Sequence, residues 1–307
     1  MNIIDSNVLS PWPQPAVCPV AREVADGNGL PLTHKIITNH IVTNHAAGLR
    51  QSLTPHHFAL TMADHGDDRT ATGILARTAL PIAALHEIHA GEPGDVSNSA
   101  AFALLMAERA RMAMEKAGRE GAGAIFWVRE NGDIRRHGYL YPPGVAELSI
   151  DPAGIIYIDA PDTLAALRAA ADAARCSALG AVIIELSGQR PKGFDFTATR
   201  RLSLSAQKSG VPIFCLRHNA GLPQNQPSAA YSRWQVTSAP SCAMEAKAPG
   251  HPVFAVNLLR YRGGHAGFSA HLEWNRDERA FFETPDIGAV SALPSIGADR
   301  KDMRQRA

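Results

Sequence analysis

The stretch Ala84-Leu85-His86-Glu87-Ile88-His89-Ala90-Gly91-Glu92-Pro93-Gly94-Asp95-Val96-Ser97-Asn98-Ser99 decides the fold. Ala84 to His89 reads as a short strand, Gly91 to Gly94 as a Gly/Pro turn, and Ser97 or Asn98 as the cap of a long helix. Behind the cap, Phe102, Leu105, Met106, Arg109 and Met112 follow a helical period with one apolar face. The unit then repeats. Ala124 to Val128 and Ile155 to Ile158 are strands of buried type, and Asp162 caps a helix through Leu164, Leu167 and Ala171. Ala181 to Leu186 is a continuous apolar strand. Thr197 opens a helix carrying Arg200, Leu202 and Leu204, Gly210 ends it, and Val211 to Leu216 is a strand again. Strands and helices in this alternation predict a parallel sheet covered on both faces.

After Leu216 the pattern changes. Ser232 to Thr237, Val253 to Arg260, Gly267 to Trp274 and Arg279 to Glu283 read as strands with no long helix between them, separated by turn residues such as Gly263, Gly264 and Asn275. The expected fold class is therefore α/β: a mainly parallel sheet flanked by helices and extended by an antiparallel meander. Residues 1–75 read as a poorly patterned N-terminal extension. They hold Pro11, Pro13, Pro15 and Pro19, then scattered His34, His40, His45, His56, His57 and His65. Residues 76–285 read as the core and 286–307 as a flexible tail.

Composition narrows the function classes. In 307 residues, 30 Lys and Arg face 29 Asp and Glu, for a net charge of +1, which excludes a dominantly basic nucleic-acid coat or an acidic tail protein. Apolar runs such as Ala181 to Leu186 are too short to span a bilayer, and no basic region followed by an apolar stretch marks a secretion signal. Cys18, Cys176, Cys215 and Cys242 form no Cys-x-x-Cys pair, so neither a disulfide framework nor a zinc ribbon is suggested. The expectation is a cytoplasmic protein with reduced thiols.

A strand, a glycine-containing turn and a helix N-terminus form the usual phosphate cradle. A working nucleotide loop also needs Gly-x4-Gly-Lys-Ser/Thr. Gly91, Glu92, Gly94, Asp95, Ser97, Asn98 and Ser99 hold the loop positions here, with no lysine and with carboxylates at 92 and 95. One carboxylate about 5 Å from one phosphate charge costs about 3 kcal/mol at an effective dielectric near 20. Asp95, Ser97 and Asn98 are instead expected to satisfy the orphan N–H groups of the helix themselves. An ordinary strand-to-helix connection is the plain reading; a weak anion site and a nucleotide site are the alternatives.

Several blocks together resemble the ImuA family, the bacterial RecA-like damage-inducible mutagenesis proteins, also labelled SulA-like. They are Leu85-His86-Glu87-Ile88, Phe126-Trp127-Val128-Arg129-Glu130, Tyr139-Leu140-Tyr141-Pro142-Pro143-Gly144 and Asp195-Phe196-Thr197-Ala198-Thr199-Arg200-Arg201-Leu202. Arg233-Trp234-Gln235-Val236, Leu258-Leu259-Arg260-Tyr261-Arg262-Gly263-Gly264 and Leu272-Glu273-Trp274 complete the series, in order over residues 77–283. The resemblance implies a RecA-like core, which fits a parallel sheet followed by a meander. It also implies an accessory role in SOS-induced, error-prone translesion DNA synthesis. The implied partners are a Y-family polymerase homologue, an error-prone C-family polymerase and RecA, with DNA contacted indirectly. A SulA-like inhibitor of cell division and a weak DNA-dependent ATPase are the alternative functions.

Against a RecA-type ATPase, Glu130 stands where the second strand ends in a water-activating glutamate. Glu185 holds the place of the magnesium aspartate, and Arg217 or its neighbour replaces a phosphate-sensing amide. Without the loop lysine, Glu130 and Glu185 read as vestigial: Glu130 as a solvated strand end, Glu185 as a cap or an ion pair with Arg200 or Arg201. No catalytic residue, cofactor or metal is expected. Arg260 and Arg262 flank Tyr261 at the end of a meander strand, so alternation puts both on one face. The resemblance to RecA implies that this pair reaches the nucleotide of a neighbouring protomer, with a solvated edge face as the plain alternative.

The remaining candidates are weaker. His86-Glu87-Ile88-His89 is similar to a zinc-peptidase motif but one residue short, and on a strand its two histidines face opposite ways. His56-His57 reads as a plain polar loop, with a metal ion collected by the N-terminal histidines as the alternative. Phe126, Trp127, Trp234 and Trp274 lie in strand patterns and read as core. Arg129, Arg135, Arg136 and His137 make the best local patch for phosphate, or a solvated loop.

Overall fold

The computed structural model describes residues 57–59, 79–119, 123–221, 226–242, 244 and 250–284. Its elements run β1 (His57–Ala59), β2 (Ala79–Pro81), β3 (Leu85–Ala90), α1 (Val96–Lys116), β4 (Ile125–Glu130), α2 (Asn131–His137), α3 (Pro142–Glu147), β5 (Ile155–Ala160) and α4 (Thr163–Ala173). They continue with β6 (Ala181–Ser187), α5 (Phe196–Ser209), β7 (Ile213–His218), β8 (Ser232–Ala239), β9 (Val253–Tyr261), β10 (Phe268–Asn275) and β11 (Ala280–Thr284). Within the expected N-terminal extension and just beyond it, β1 and β2 pair as a two-stranded antiparallel sheet. Most of residues 1–75, and residues 286–307, lie outside the described residues, as does His56.

Nine strands form one sheet in the order β11-β10-β9-β8-β3-β7-β6-β4-β5. The six strands from β8 to β5 run parallel, and β9, β10 and β11 continue the sheet antiparallel. This is the expected α/β class, a mainly parallel sheet flanked by helices with antiparallel strands at its C-terminal end. One detail is corrected. Ser232 to Thr237 was expected to begin the meander, but β8 lies parallel to β3, with His86 opposite Ser232, and antiparallel to β9. It is the last strand of the core and the first partner of the meander at once.

The caps follow side-chain chemistry. Asp162 Oδ1 accepts from Ala165 N at 2.8 Å and Asp195 Oδ1 from Ala198 N at 2.7 Å, so both carboxylates satisfy orphan donors. Gly210 closes α5 at φ 74°, a conformation that costs glycine little. Ser97 and Asn98 do not cap α1: a single 3-10 turn, Pro93–Asp95, leads straight into Val96. The sequence reading missed α2 and α3. Both are too short to show a period, although Asp133 near the start and Arg135, Arg136 and His137 at the end of α2 complement its dipole.

The main core lies under α1. Phe102, Leu105 and Met106 pack with Ile88, Trp127, Ile183, Leu216 and Trp234, all essentially buried. Phe102 contributes about 1.5–3 kcal/mol by burial. Its ring meets Trp234, Phe254 and Phe281 at centroid distances of 6.2, 5.5 and 5.4 Å. Phe126, Trp127, Trp234 and Trp274 are core, as expected. Strand alternation sends Val182 and Ile184 to the other face, where α4 packs on β4, β5 and β6 and α5 on β3 and β7. Among the described residues, no helix is long and apolar enough to cross a membrane.

Candidate functional site

The turn after β3 is filled by its own carboxylate. Asp95 Oδ2 accepts from Glu92 N at 3.0 Å, and Asp95 Oδ1 accepts from Ser238 N and Ser238 Oγ, each at 2.9 Å. Asp95 is buried. The expectation that it would serve the orphan N–H groups of α1 is thus corrected: β8 runs alongside and offers better donors. Gly91 N donates to Val236 O at 2.8 Å, and a Cβ at Gly91 would lie 2.1 Å from Thr237 Cγ2. The loop is closed against β8, with an aspartate where a phosphate cradle would have its anion. Gly94 faces open space and Ser97 is exposed, while Ser99 Oγ donates back to Val96 O at 3.0 Å.

Two buried polar clusters sit on opposite faces of the parallel strands. The first is built on Glu87. Arg233 Nε donates to Glu87 Oε2 at 2.6 Å, Ser228 Oγ donates to Glu87 Oε1, and His89 Nε2 stands 3.6 Å from Glu87 Oε2. Burial opposes ionisation of Glu87, but His89 and Arg233 outweigh it and bring its carboxyl to about 2. Burial likewise lowers His89, whose two ring nitrogens are buried without a hydrogen-bond partner. Arg217, beside His89 in register, donates to Gly188 O at 3.0 Å and Gln226 Oε1 at 3.2 Å and lies 4.5 Å over the Phe194 ring.

The second cluster is built on Glu185. It accepts from Trp127 Nε1 at 3.1 Å, meets His218 Nε2 at 3.0 Å and stands 3.0 Å from Arg129 Nη2. Burial would raise the Glu185 carboxyl; His218 and Arg129 hold it below its ordinary value instead. Arg129 Nη1 also donates to Gly138 O at 2.9 Å and Tyr157 Oη at 2.8 Å.

Two expectations are corrected here. Glu185 does not pair with Arg200 or Arg201, which are exposed on α5, over the other face. Arg129 does not belong to a surface patch with Arg135, Arg136 and His137. It is 5% exposed and opposite Glu185 in the β4–β6 register, while the other three are exposed on α2. Glu130, expected as a solvated strand end, accepts from Thr163 Oγ1 at 2.5 Å, which ties the end of β4 to the start of α4.

The His86-Glu87-Ile88-His89 motif splits as alternation requires. His86 faces Ser232 Oγ at 2.8 Å and Pro81 O at 3.0 Å and stacks on Phe214, away from Glu87 and His89. Burial lowers its ring to about 4. Among the described residues no group of three or more His, Cys, Asp or Glu could hold a metal ion. Cys176, Cys215 and Cys242 are free thiols.

Arg260 and Arg262 lie at the end of β9. Arg260 Nη1 donates to Ser228 O at 2.7 Å, so it reaches the rim of the Glu87 cluster, and Arg262 is exposed. Partial burial, then the nearby Arg262 charge, lower the Arg260 guanidinium. The Glu87 side of the sheet thus gathers Arg217, Arg233 and Arg260 around one carboxylate. From the sequence, Glu87 and Arg233 stand only within the blocks that carry the resemblance and Glu87 in an incomplete metal motif; neither they nor His218 is expected at a buried cluster. Their signal was a charge within an apolar strand, which requires a buried partner.

No family model matches the chain, and no curated protein matches it. Among solved structures, the chain is similar to one described as the crystal structure of the RadB recombinase. The identity is 10% and the TM-score 0.42, with 65% of this chain and 90% of that chain covered.

Proposed function

We propose that this protein is a non-catalytic RecA-like adaptor of damage-induced translesion DNA synthesis, of the ImuA type. In this reading it links a Y-family polymerase homologue, an error-prone C-family polymerase and RecA. The observation that carries the non-catalytic part is the occupied loop. Asp95 holds two backbone N–H groups and a hydroxyl around its carboxylate, and the loop sequence from Ala90 to Ser99 offers a phosphate no lysine. The other inherited positions are engaged as well, Glu130 by Thr163 and Glu185 by Arg129, His218 and Trp127. The partners are supported by the sequence blocks that resemble the family, running from Leu85 to Trp274.

In this reading the protein works as a one-sided partner of a RecA filament. Arg260 and Arg262 would meet the nucleotide surface of a RecA protomer through the donor forks of their guanidinium groups. Two measurements test it. Equilibrium dialysis with ATP and magnesium should give no saturable binding at micromolar nucleotide. Co-purification should recover the chain with the Y-family homologue and with RecA on single-stranded DNA. Tight magnesium-dependent ATP binding would remove the non-catalytic part, and failure to recover either partner would remove the adaptor part.

A further inference from the structure

α4 and α5 lie side by side on the sheet face away from α1, and between their outer sides runs an open groove of about 640 Å³. Its lining is regular. Arg168 and Ala171 on α4, and Arg175 in the turn that ends it, recur at steps of three and four residues; Arg201, Leu204 and Lys208 on α5 recur at the same steps. Each helix therefore offers a cation, an apolar residue and a second cation about 10 Å further along its axis. Leu204 is 45% exposed, although it lies between two cations on an otherwise polar stripe. Asp172 is the one carboxylate of the lining, and Arg175 Nη1 donates to it at 3.2 Å. Four cations against one carboxylate leave the groove strongly positive on a chain whose net charge is +1.

We propose that this groove docks an acidic amphipathic helix of a partner protein. α4 and α5 form two sides of a three-helix seam. The incoming helix sets its apolar stripe on Ala171 and Leu204, and carboxylates one heptad apart on its flanks reach Arg168 and Arg175 on one side and Arg201 and Lys208 on the other. The seven-residue interval between the cations of each helix is the repeat that such flanking carboxylates follow. A nucleic-acid backbone fits less well, because its phosphates would leave Ala171 and the exposed Leu204 without an apolar partner. The inference does not depend on the adaptor role proposed above, since the groove is remote in the chain from Asp95, Arg260 and Arg262.

The test titrates the full chain into a fluorescein-labelled three-heptad helix with leucine at the core positions and glutamate at the flanks, read by anisotropy. A thymine oligonucleotide and the same helix with lysine flanks serve as controls. Saturable binding of the acidic helix that weakens as salt rises is expected. The Arg201→Glu/Lys208→Glu variant should bind it at least tenfold more weakly and gain affinity for the lysine-flanked helix, a gain that a misfolded variant would not show. Leu204→Asp should also lose at least tenfold. The proposal is overturned by equal affinity of the acidic helix for the native chain and the charge-reversed variant, or by no binding at all. It is also overturned if the oligonucleotide binds and the charge-reversed variant loses it while the acidic helix fails to compete.

Discussion

Glu87 and Arg233 stand opposite each other on adjacent parallel strands, with Arg233 Nε 2.6 Å from Glu87 Oε2 and both side chains buried. The pair joins β3, the first strand of the sheet core in chain order, to β8, the strand from which the antiparallel extension grows. Ser228 donates to the same carboxylate and Arg233 Nη2 donates to Gln226 O at 2.9 Å, so the segment leading into β8 is fastened by the same charges. Water is excluded, so each ion depends on its partner.

Breaking the pair on one side should therefore cost far more than replacing both members. Glu87→Gln leaves a buried guanidinium without its counter-charge and is expected to lower unfolding stability by about 3–5 kcal/mol. The double variant Glu87→Met/Arg233→Met keeps the volume and removes both charges, and is expected to lose less than the single change. Urea denaturation of the three proteins decides. A double variant at least as unstable as Glu87→Gln would show that the charges do not act together.

Two of the acid-sensitive groups act mainly in different pH windows. The His86 ring is lowered to about 4 in the folded chain, below its ordinary 6.5, so the unfolded chain binds the extra proton and stability falls as pH drops from 6.5 toward 4. The Glu87 carboxyl is lowered to about 2 from 4.5, so its contribution is complete above 4.5 and is lost as pH falls through 2. Each window spans about 3 kcal/mol. His86→Gln should reduce the upper arm, to which the buried His89 ring also contributes, and leave the lower one; Glu87→Gln should chiefly reduce the lower arm, to which Glu185 also contributes. Denaturant midpoints measured from pH 7 to pH 2.5 check both; identical profiles for all three proteins would contradict the assignment.

The sheet was legible because apolar strands and amphipathic helices alternate from Leu85 to Leu216, and because Asp162 and Gly210 announce their helix ends locally, whereas the helix expected from Thr197 starts one residue earlier, capped by Asp195. The polar clusters were not. Arg129 reads as part of a phosphate patch or a solvated loop until the β4–β6 register places it beside Glu185, and that pairing depends on two segments far apart in the chain. Asp95 reads as a helix cap until β8 brings Ser238 against it. Short α2 and α3 left no period to find. What sequence periodicity conveys is which face a residue takes; which partner waits on that face is decided by strand order.

The close approach of β8 to the loop gives a steric prediction. A Cβ at Gly91 would lie 2.1 Å from Thr237 Cγ2, while Val236 O stands at 3.4 Å. Gly91→Ala should destabilise the chain by about 1–3 kcal/mol through overpacking. Because the clash is with the end of a side chain, Thr237→Ser in the same protein should recover most of that loss. Thermal or urea unfolding of the single and double variants reads the coupling, and strictly additive losses would place the strain elsewhere.

Arg260 and Arg262 offer the most direct test of the RecA-docking reading. Arg260 is anchored by Ser228 O and only partly exposed, whereas Arg262 is exposed, so they separate a structural from a binding effect. Arg262→Glu should leave unfolding stability within about 0.5 kcal/mol of the native chain. Arg260→Glu should cost more, because it sets a carboxylate beside Ser228 O and takes the donor away. If the pair meets the nucleotide surface of RecA, Arg262→Glu alone should still weaken binding to ATP-loaded filaments at least tenfold, with a dependence on salt reduced in step. Sedimentation of the chain with RecA filaments on single-stranded DNA, at two salt concentrations, gives the measurement. Undiminished co-sedimentation of Arg262→Glu would move the contact to another surface of the chain.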